Sequence, residues 1–468
     1  MVDHRDPATR VETGRAARER TPLATHAEFA PSAGRTDPVT VLTTQEAGRL
    51  PELLPMRHGR MLTSVFAFYR GSAAIMAADL ATTPNSGLPA QLCGDAHLSN
   101  FGVFGSPERR MLFDVNDFDE TYPGPWEWDV KRLAASLTIA ARGNGFRRKA
   151  RAGIVRAAVG RYRTTMAEFA AARELEVWYA HADVDRLAPE LTAELSKERL
   201  KRLEKVRTKA RSRDSLQAYR KLTTSVEGRR AIAADPPLLV PVADLLPDDA
   251  QERFADDIRA LLRRYRRTLP IERRPLLDAF TYVDTARKVV GVGSVGTRCW
   301  IVLLHGRDDD DPLLLQVKEA EPSVLAAHVA PGLRLPSRIS EGQRVVTGQR
   351  RMQAASDIFL GWQTAMGIDG HVRDFYVRQL RDWKFSALVE EMDPTTLRTY
   401  GALCAWTLAR AHARTGDRIA IAAYLGDDAT FDEALVEFAE RYADRAERDY
   451  ALFAEAVRDG TIQAEASP

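Results

Sequence analysis

Between Leu92 and Asp129 the chain reads LCGDAHLSNFGVFGSPERRMLFDVNDFDETYPGPWEWD. Asp95 and Asn100 lie five positions apart behind a glycine, and Asp114, Asp117 and Asp119 follow in one short stretch. A carboxylate, an amide oxygen and further carboxylates in this pattern suit a metal-phosphate site, with one acid near an incoming nucleophile and the others holding a hard, oxygen-seeking cation. The apolar segments NFGVF and RMLFDV flank the turn-forming GSPER, which predicts a β-hairpin with polar and acidic residues at its open ends.

A second stretch, DTARKVVGVGSVGTRCWIVLLHGRDDDDPLLLQVKEA, begins at Asp284. Gly291, Gly293 and Gly296 form G-x-G-x-x-G, a weak signal alone. In a dinucleotide-binding unit the third glycine opens a helix; here the β-branched, apolar TRCWIVLL follows, then a charged turn and LLLQVK. The pattern predicts three strands with a glycine turn at the first joint. Such a turn, with Ser294 inside it, can lie over a triphosphate, because glycine permits close backbone approach and leaves amides free to donate. Period-two alternation puts Leu314, Gln316 and Lys318 on one face and Leu313, Leu315 and Val317 on the other. Singly, each piece has an ordinary reading: a lysine that snorkels, glycines that only turn, an Asp and Asn that cap a loop. Together they point to phosphate-nucleotide binding.

These sites need supporting elements, and 468 residues with 45% hydrophobic content leave room for two or three packed lobes. Residues 1–37 are polar, rich in Arg, Ala and Thr, and without a sustained apolar period, so a disordered leader is expected there. Residues 38–146 would carry the acidic hairpin, with LPELLPMRHGRMLTSVFAFYRGSAAIMAADLA reading as a turn and then a helix packed beneath the site, Arg70 within it. That arginine either reaches a phosphate or pairs with a site acid, and a lone Arg near several carboxylates is ordinarily a counter-charge. After Asp129 an amphipathic helix is expected to buttress the hairpin. Residues 147–275 are expected to be a helical insertion, whose basic run from Glu194 to Lys221 reads as a solvated helical face or an arm over the site rather than a nucleic-acid surface, since stacking aromatics are sparse. The Pro-rich AADPPLLVPVADLLPDD would close it. Residues 276–392 would form the β lobe and 393–468 the final helices.

Net charge is +2, from 67 basic and 65 acidic residues, so global charge demands neither nucleic acid nor a membrane. No apolar run is long enough to span a bilayer. Three scattered cysteines and an N-terminus without an apolar export segment point to a cytoplasmic protein. Oligomeric state is not legible.

GDAHLSN resembles the Gly-Asp-x-His-x-x-Asn catalytic loop of the aminoglycoside-phosphotransferase and choline-kinase branch of the protein-kinase-like fold. DFDETYPGPWEWD places Asp117, Gly124 and Asp129 at the spacing of that branch's metal-binding Asp, Gly and structural Asp. Most of the chain also resembles the bacterial family known as domain of unknown function 2252, through RGSAAIMAADL, WEWDVKRLAAS, VVGVGSVGTRCWIVLL, LQVKEA, FYVRQLRDWK and LARAHARTGD. The kinase-like resemblance implies an α+β, two-lobe fold: a small antiparallel nucleotide lobe and a mostly helical catalytic lobe. Because Gly291 and Lys318 follow Asp95 instead of preceding it, it also implies a circular permutation. Cys93 departs from the histidine usual before Gly-Asp.

What the resemblance implies in function is ATP- and Mg²⁺-dependent phosphoryl transfer to an unidentified hydroxyl acceptor, a small molecule rather than a protein. Asp95 would be the base, and Asn100 and Asp117 the metal ligands, with Asp119 or Asp114 as additional groups. Lys318 would pair the α- and β-phosphates, and the amides around Gly291, Gly293, Ser294 and Gly296 would bind the triphosphate. The acidic partner of Lys318 is open among Glu319, Glu321 and Glu341. His97 would fix the loop, the strand DFYVRQL would end at an adenine hinge, and His412 and Asp417 would be structural or substrate-facing. Rival readings are a nucleotidyl (AMP) transferase, an inactive nucleotide-binding regulator, and a nucleic-acid-binding protein.

Overall fold

The computed structural model describes residues 6–31, 34–186, 208, 215–226, 229–367, 369–380 and 387–466, in a mixed α+β fold. The expected leader is instead ordered over most of its length. Asp6 caps helix α1 (Pro7–Arg20) through the Thr9 amide at 3.0 Å. Its docking uses small residues and arginines: a Cβ on Gly14 would lie 2.2 Å from the Ala420 carbonyl, and Arg10 Nε bonds Asp417 at 2.8 Å. That is why no apolar period announces it. Helices α2 (Leu54–Leu62) and α3 (Val65–Gly71) follow, the second capped by Ser64 through the Ala67 amide at 3.0 Å.

Strand β1 (Pro89–Leu92) leads into the Asp95 loop, and β2 (Phe101–Gly105) pairs β3 (Met111–Val115) in the expected hairpin, turned through Arg109 at φ 60°. Strand β4 (Tyr122–Pro125) returns antiparallel to β1, Leu92 opposite Tyr122, so the Asp95 and Asp117 loops leave adjacent ladders. Helix α4 (Glu127–Gly143) is not amphipathic as expected. Every residue from Glu127 to Ala141 is buried, and Glu127, Asp129, Lys131, Arg132 and Ser136 hydrogen-bond the segments packed around it. Helix α5 (Arg148–Ala171) lies beside it, and Tyr162 stacks on Trp126 with ring centroids 5.4 Å apart.

The stretch expected to be a helical insertion contributes strands to three sheets. Strand β5 (Ala182–Asp183) extends the β2–β3 hairpin. Strands β6 (Thr223–Val226) and β7 (Arg229–Ile232) form a hairpin tied to the main sheet where Asp284 accepts the Ile232 amide at 2.8 Å. Strand β8 (Leu239–Pro241), inside the Pro-rich connector, is an edge strand, where a proline's missing donor is tolerated. Most of the basic run from Glu194 lies outside the described residues.

Helix α6 (Asp248–Tyr265) covers one face of the main sheet. Strands β9 (Thr281–Lys288), β10 (Cys299–His305) and β11 (Pro312–Glu319) form the expected antiparallel succession. Helix α7 (Glu341–Met352), capped by Ser340, then precedes β12 (Gly361–Met366) and β13 (Val372–Gln379). The sheet order is β12-β13-β11-β10-β9-β8. Leu313, Leu315 and Val317 pack with Trp300, Val302 and Leu304 against the α6 side. The opposite face packs Leu314, Ile301 and Leu303 with Tyr219 and Leu222, and continues to Gln316 and Lys318 at a cleft. The segment 381–386, where the hinge is expected, lies outside the described residues.

Helices α8 (Pro394–Thr415), α9 (Arg418–Leu425) and α10 (Thr430–Arg458) complete the helical body. Leu408, Phe431, Leu435 and Phe438 fill its core with Trp126, Leu133 and Leu137. Among the described residues no helix is long and apolar enough to cross a membrane, and Cys93, Cys299 and Cys404 are buried free thiols.

Candidate active site

A cleft of about 930 Å³ separates the β1–β4 loops from the main sheet, and Asp95, Asn100, Asp117, Asp119, Gly291, Gly293, Ser294 and Lys318 all line it. Its floor is built on a turn that only glycine fits. Gly94 has φ +84°, and a Cβ there would lie 2.1 Å from the Glu120 carbonyl. The Asp129 carboxylate, on the first turn of α4, accepts the amides of Cys93 at 2.8 Å and Gly94 at 3.0 Å, with His412 Nε2 3.3 Å away. His412 is therefore structural. One turn on, Arg132 donates to Asp95 Oδ1 at 2.6 Å and to the Tyr69 carbonyl at 2.9 Å while lying over the Tyr69 ring. Asn100 spends its amide nitrogen on the Asp95 carbonyl at 2.7 Å, which leaves its amide oxygen for another partner.

Asp95 Oδ2 lies 3.5 Å from His97 Nε2, and its side chain is 18% exposed, so it is reachable from the cleft. Burial, reinforced by Arg70 and Arg132 and opposed by Asp95, pushes the His97 imidazole down to about 4. The ring is neutral at ordinary pH.

The roof is the glycine turn after β9, and arginines from residues 49–60 hold it. Arg57 is fully buried, pairs with Glu46 at 2.8 Å, and donates to the carbonyls of Gly71 at 2.7 Å, Val292 at 2.9 Å and Gly293 at 3.1 Å. Arg60 donates to Val290 at 2.8 Å and Arg49 to Val295 at 2.6 Å. With these carbonyls held from outside, the turn keeps one shape. Gly296 has φ +91°, and its would-be Cβ meets the Arg49 stem at 3.0 Å.

Roof and floor meet at Lys318. Its ammonium is paired with Asp119 and lies 3.8 Å from Asp117 Oδ2, while Tyr376 donates its hydroxyl to Asp119 Oδ1 at 2.7 Å. Ser294 Oγ reaches Asp119 at 3.4 Å. Burial by itself would lower the Lys318 ammonium; Asp117 and Asp119 more than reverse it and hold it above the ordinary lysine range. None of the three expected glutamates is its partner. Glu341 pairs with Arg344, and Glu319, on the opposite face of β11, pairs with Arg373 at 2.9 Å and Arg298 at 3.3 Å. Glu321 forms no ion pair with it and is raised by burial.

Asp114 is the other correction. Its carboxylate is 1% exposed, pairs with Arg410 at 2.7 Å and accepts the Ala354 amide at 2.9 Å. Strand alternation aims it at α8, away from the cleft, so it is no metal ligand. Supports that sequence reasoning missed include Arg132, whose three-residue offset from Asp129 on a helix was a usable signal. Arg344 was also missed. It donates to the carbonyls of Thr121 at 2.7 Å, Asp119 at 2.9 Å and Glu321 at 2.8 Å, and nothing in the sequence joins those segments.

Among the described residues, no group of three or more His, Cys, Asp or Glu side chains could hold a metal. Asn100 and Asp117 offer a smaller donor set of one amide oxygen and one carboxylate. That suits Mg²⁺, which keeps waters and takes its remaining ligands from substrate phosphates. No curated protein and no solved structure matches the chain. Residues 49–456 match the family described as "Uncharacterized protein conserved in bacteria", domain of unknown function 2252, and the chain belongs to that family.

Proposed function

We propose that this chain is an ATP- and Mg²⁺-dependent phosphotransferase acting on a hydroxyl acceptor, with a circularly permuted protein-kinase-like fold. The observation that carries the reading is the meeting of Lys318 with Asp117 and Asp119, about two hundred positions away in sequence, above the loop that bears Asp95 and Asn100. The order of parts supports it. A glycine turn between β9 and β10, a lysine on β11, one helix and two further strands follow the order of a kinase nucleotide lobe, displaced to the far side of the catalytic loop.

In this reading Arg132 holds Asp95 Oδ1, and Oδ2 accepts a hydrogen bond from the acceptor hydroxyl, aiming it at the γ-phosphorus. The new oxygen–phosphorus bond forms as the β–γ bridging oxygen leaves with ADP, and the hydroxyl proton passes to Asp95 late in a loose transition state. Lys318 shifts from its acids toward the phosphates, and the glycine-turn amides hold the triphosphate's oxygens. Asn100 and Asp117 would hold Mg²⁺, which would supply charge neutralisation. His97, neutral and 3.5 Å from Asp95, adds no charge to the loop.

The test is magnesium-dependent turnover of ATP labelled at the α- or the γ-phosphorus, for wild type, Asp95→Asn and Lys318→Ala. Release or transfer of γ label that Asp95→Asn abolishes and EDTA stops is the expected result. Transfer of α label identifies a nucleotidyl transferase instead, and unchanged turnover in Asp95→Asn removes its assigned role.

A further inference from the structure

We infer that the acceptor is an anion, carrying a phosphate or carboxylate close to its reacting hydroxyl, and that Arg70 binds that group. This rests on the phosphotransfer reading and narrows it to a substrate class. Arg70 stands in the last turn of α3 and lines the cleft. Its carbonyl is 3.6 Å from where a Cβ of Gly293 would sit, so the residue lies where the glycine turn of the roof comes down beside the floor.

What separates Arg70 from Arg49, Arg57, Arg132 and Arg378 is that, among the described residues, no hydrogen bond or ion pair engages its side chain. Arg49 and Arg57 hold the glycine turn, Arg132 holds Asp95, and Arg378 bonds Gln316 Oε1 at 2.9 Å. Arg70 Nε is buried with no hydrogen-bond partner among the described residues. Asp95 and Glu390 act on it at longer range, and neither forms an ion pair with it. A guanidinium partly removed from water without an acceptor is costly, and an incoming oxyanion relieves that cost through charge-assisted, two-pronged hydrogen bonds. The nucleotide's own phosphates already have Lys318 and the turn amides. Arg70 is left for the other substrate.

The cleft is lined by both signs, with Asp95, Asp117, Asp119 and Asp357 among its acids. Arg60, Arg109 and Lys288 also line the cleft, and His97, the ring nearest Asp95, is neutral. An amino sugar or amino alcohol presenting its hydroxyl to Asp95 would bring an ammonium toward Arg70. A phosphorylated or carboxylated polyol would bring an anion there instead.

Three small alcohols that differ in charge test this: glycerol 3-phosphate, glycerol and ethanolamine, titrated by calorimetry into the full chain saturated with Mg²⁺ and ADP. The expected result is saturable binding of glycerol 3-phosphate, about tenfold or more tighter than either neutral glycerol or cationic ethanolamine. Arg70→Gln weakens it about tenfold, Arg70→Lys restores part of the loss, and ADP affinity stays within about twofold in both variants. No saturable binding of glycerol 3-phosphate, equal binding of ethanolamine, or an unchanged affinity in Arg70→Gln each overturns the assignment. So does a loss confined to ATP with ADP spared, which would give Arg70 to the γ-phosphate. Failure of ADP to bind sinks the phosphotransfer reading by itself; glycerol 3-phosphate titrated without nucleotide into wild type and Arg70→Gln still decides the anion site.

Discussion

The floor and the roof of the cleft both present backbone and polar groups to the same space, yet they are held in opposite ways. The Asp95 loop of the floor is supported from close by in sequence: Asp129 and Arg132, on the helix that follows the acidic hairpin, fix the backbone of Cys93 and Gly94 and the side chain of Asp95. The roof is supported from far away. Arg49, Arg57 and Arg60 reach across more than two hundred residues to bind the carbonyls on either side of Gly291, Gly293 and Gly296. Chemistry whose supports are local can be read from spacing, while chemistry whose supports are remote can be read only as residue types.

Breaking the comparison begins with the floor's reacting group. Asp95→Asn is expected to lower γ-phosphoryl turnover by about 10³-fold while ATP affinity is kept, because the amide still accepts from Arg132 but takes no proton. A parallel loss of ATP binding would make Asp95 a prop for the loop. Next comes the roof's anchor. Arg57→Ala leaves buried Glu46 with His58 alone and takes the Arg57 donors from three backbone carbonyls, and should cost about 3–5 kcal/mol in urea unfolding. Arg57→Lys should recover little, since one ammonium cannot span Glu46, Gly71, Val292 and Gly293. A loss under about 1 kcal/mol would mean that the turn is held by something else.

Lys318→Ala, at the junction, is expected to weaken ATP binding about tenfold to a hundredfold, read by calorimetry, as one charge-assisted contact is lost. The smallest expected effect sharpens the floor. Glu120 backs the Gly94 turn, and its carboxylate accepts the Val324 amide at 2.8 Å. Burial pushes its pKa from 4.5 up to about 7, against the opposing pull of that hydrogen bond. The folded chain therefore keeps a proton that the unfolded chain releases. The stability tied to that proton is full below about 4.5 and declines as pH rises to about 7, then stays level. Glu120→Gln should flatten that slope between pH 5 and 8, measured by melting at each pH. An unchanged slope would show that Glu120 is ionised throughout.

The same contrast explains what was legible. The β2–β3 hairpin, the β9 to β11 succession and the shared face of Gln316 and Lys318 follow from turn residues and period-two alternation, which are local rules. Alternation also contained the correction at Asp114, since a strand that aims Asp114 inward at Arg410 frees Asp117 and Asp119 only after it ends. Helix α1 was illegible because Gly14 and Ala17 make its contacts, and small residues carry no period. Strands β6 to β8 were illegible because each has only three or four residues, too few to show a period, and β8 pairs with the distant β9. The partner of Lys318 is illegible for the same reason: the acids that meet it, Asp119 and Asp117, come from the other side of the cleft, about two hundred positions away.

The central claim is that one nucleotide bridges the floor acids and Lys318. Its most direct test is ATP affinity, with Mg²⁺ and with EDTA, in wild type and Asp117→Asn. The account predicts that Mg²⁺ tightens ATP binding in the wild type and does not in Asp117→Asn. It further predicts that with EDTA present the variant binds ATP at least as well as wild type, because Lys318 has lost a competitor for its charge. ATP binding that ignores both Mg²⁺ and Asp117, or no ATP binding at all, would contradict it.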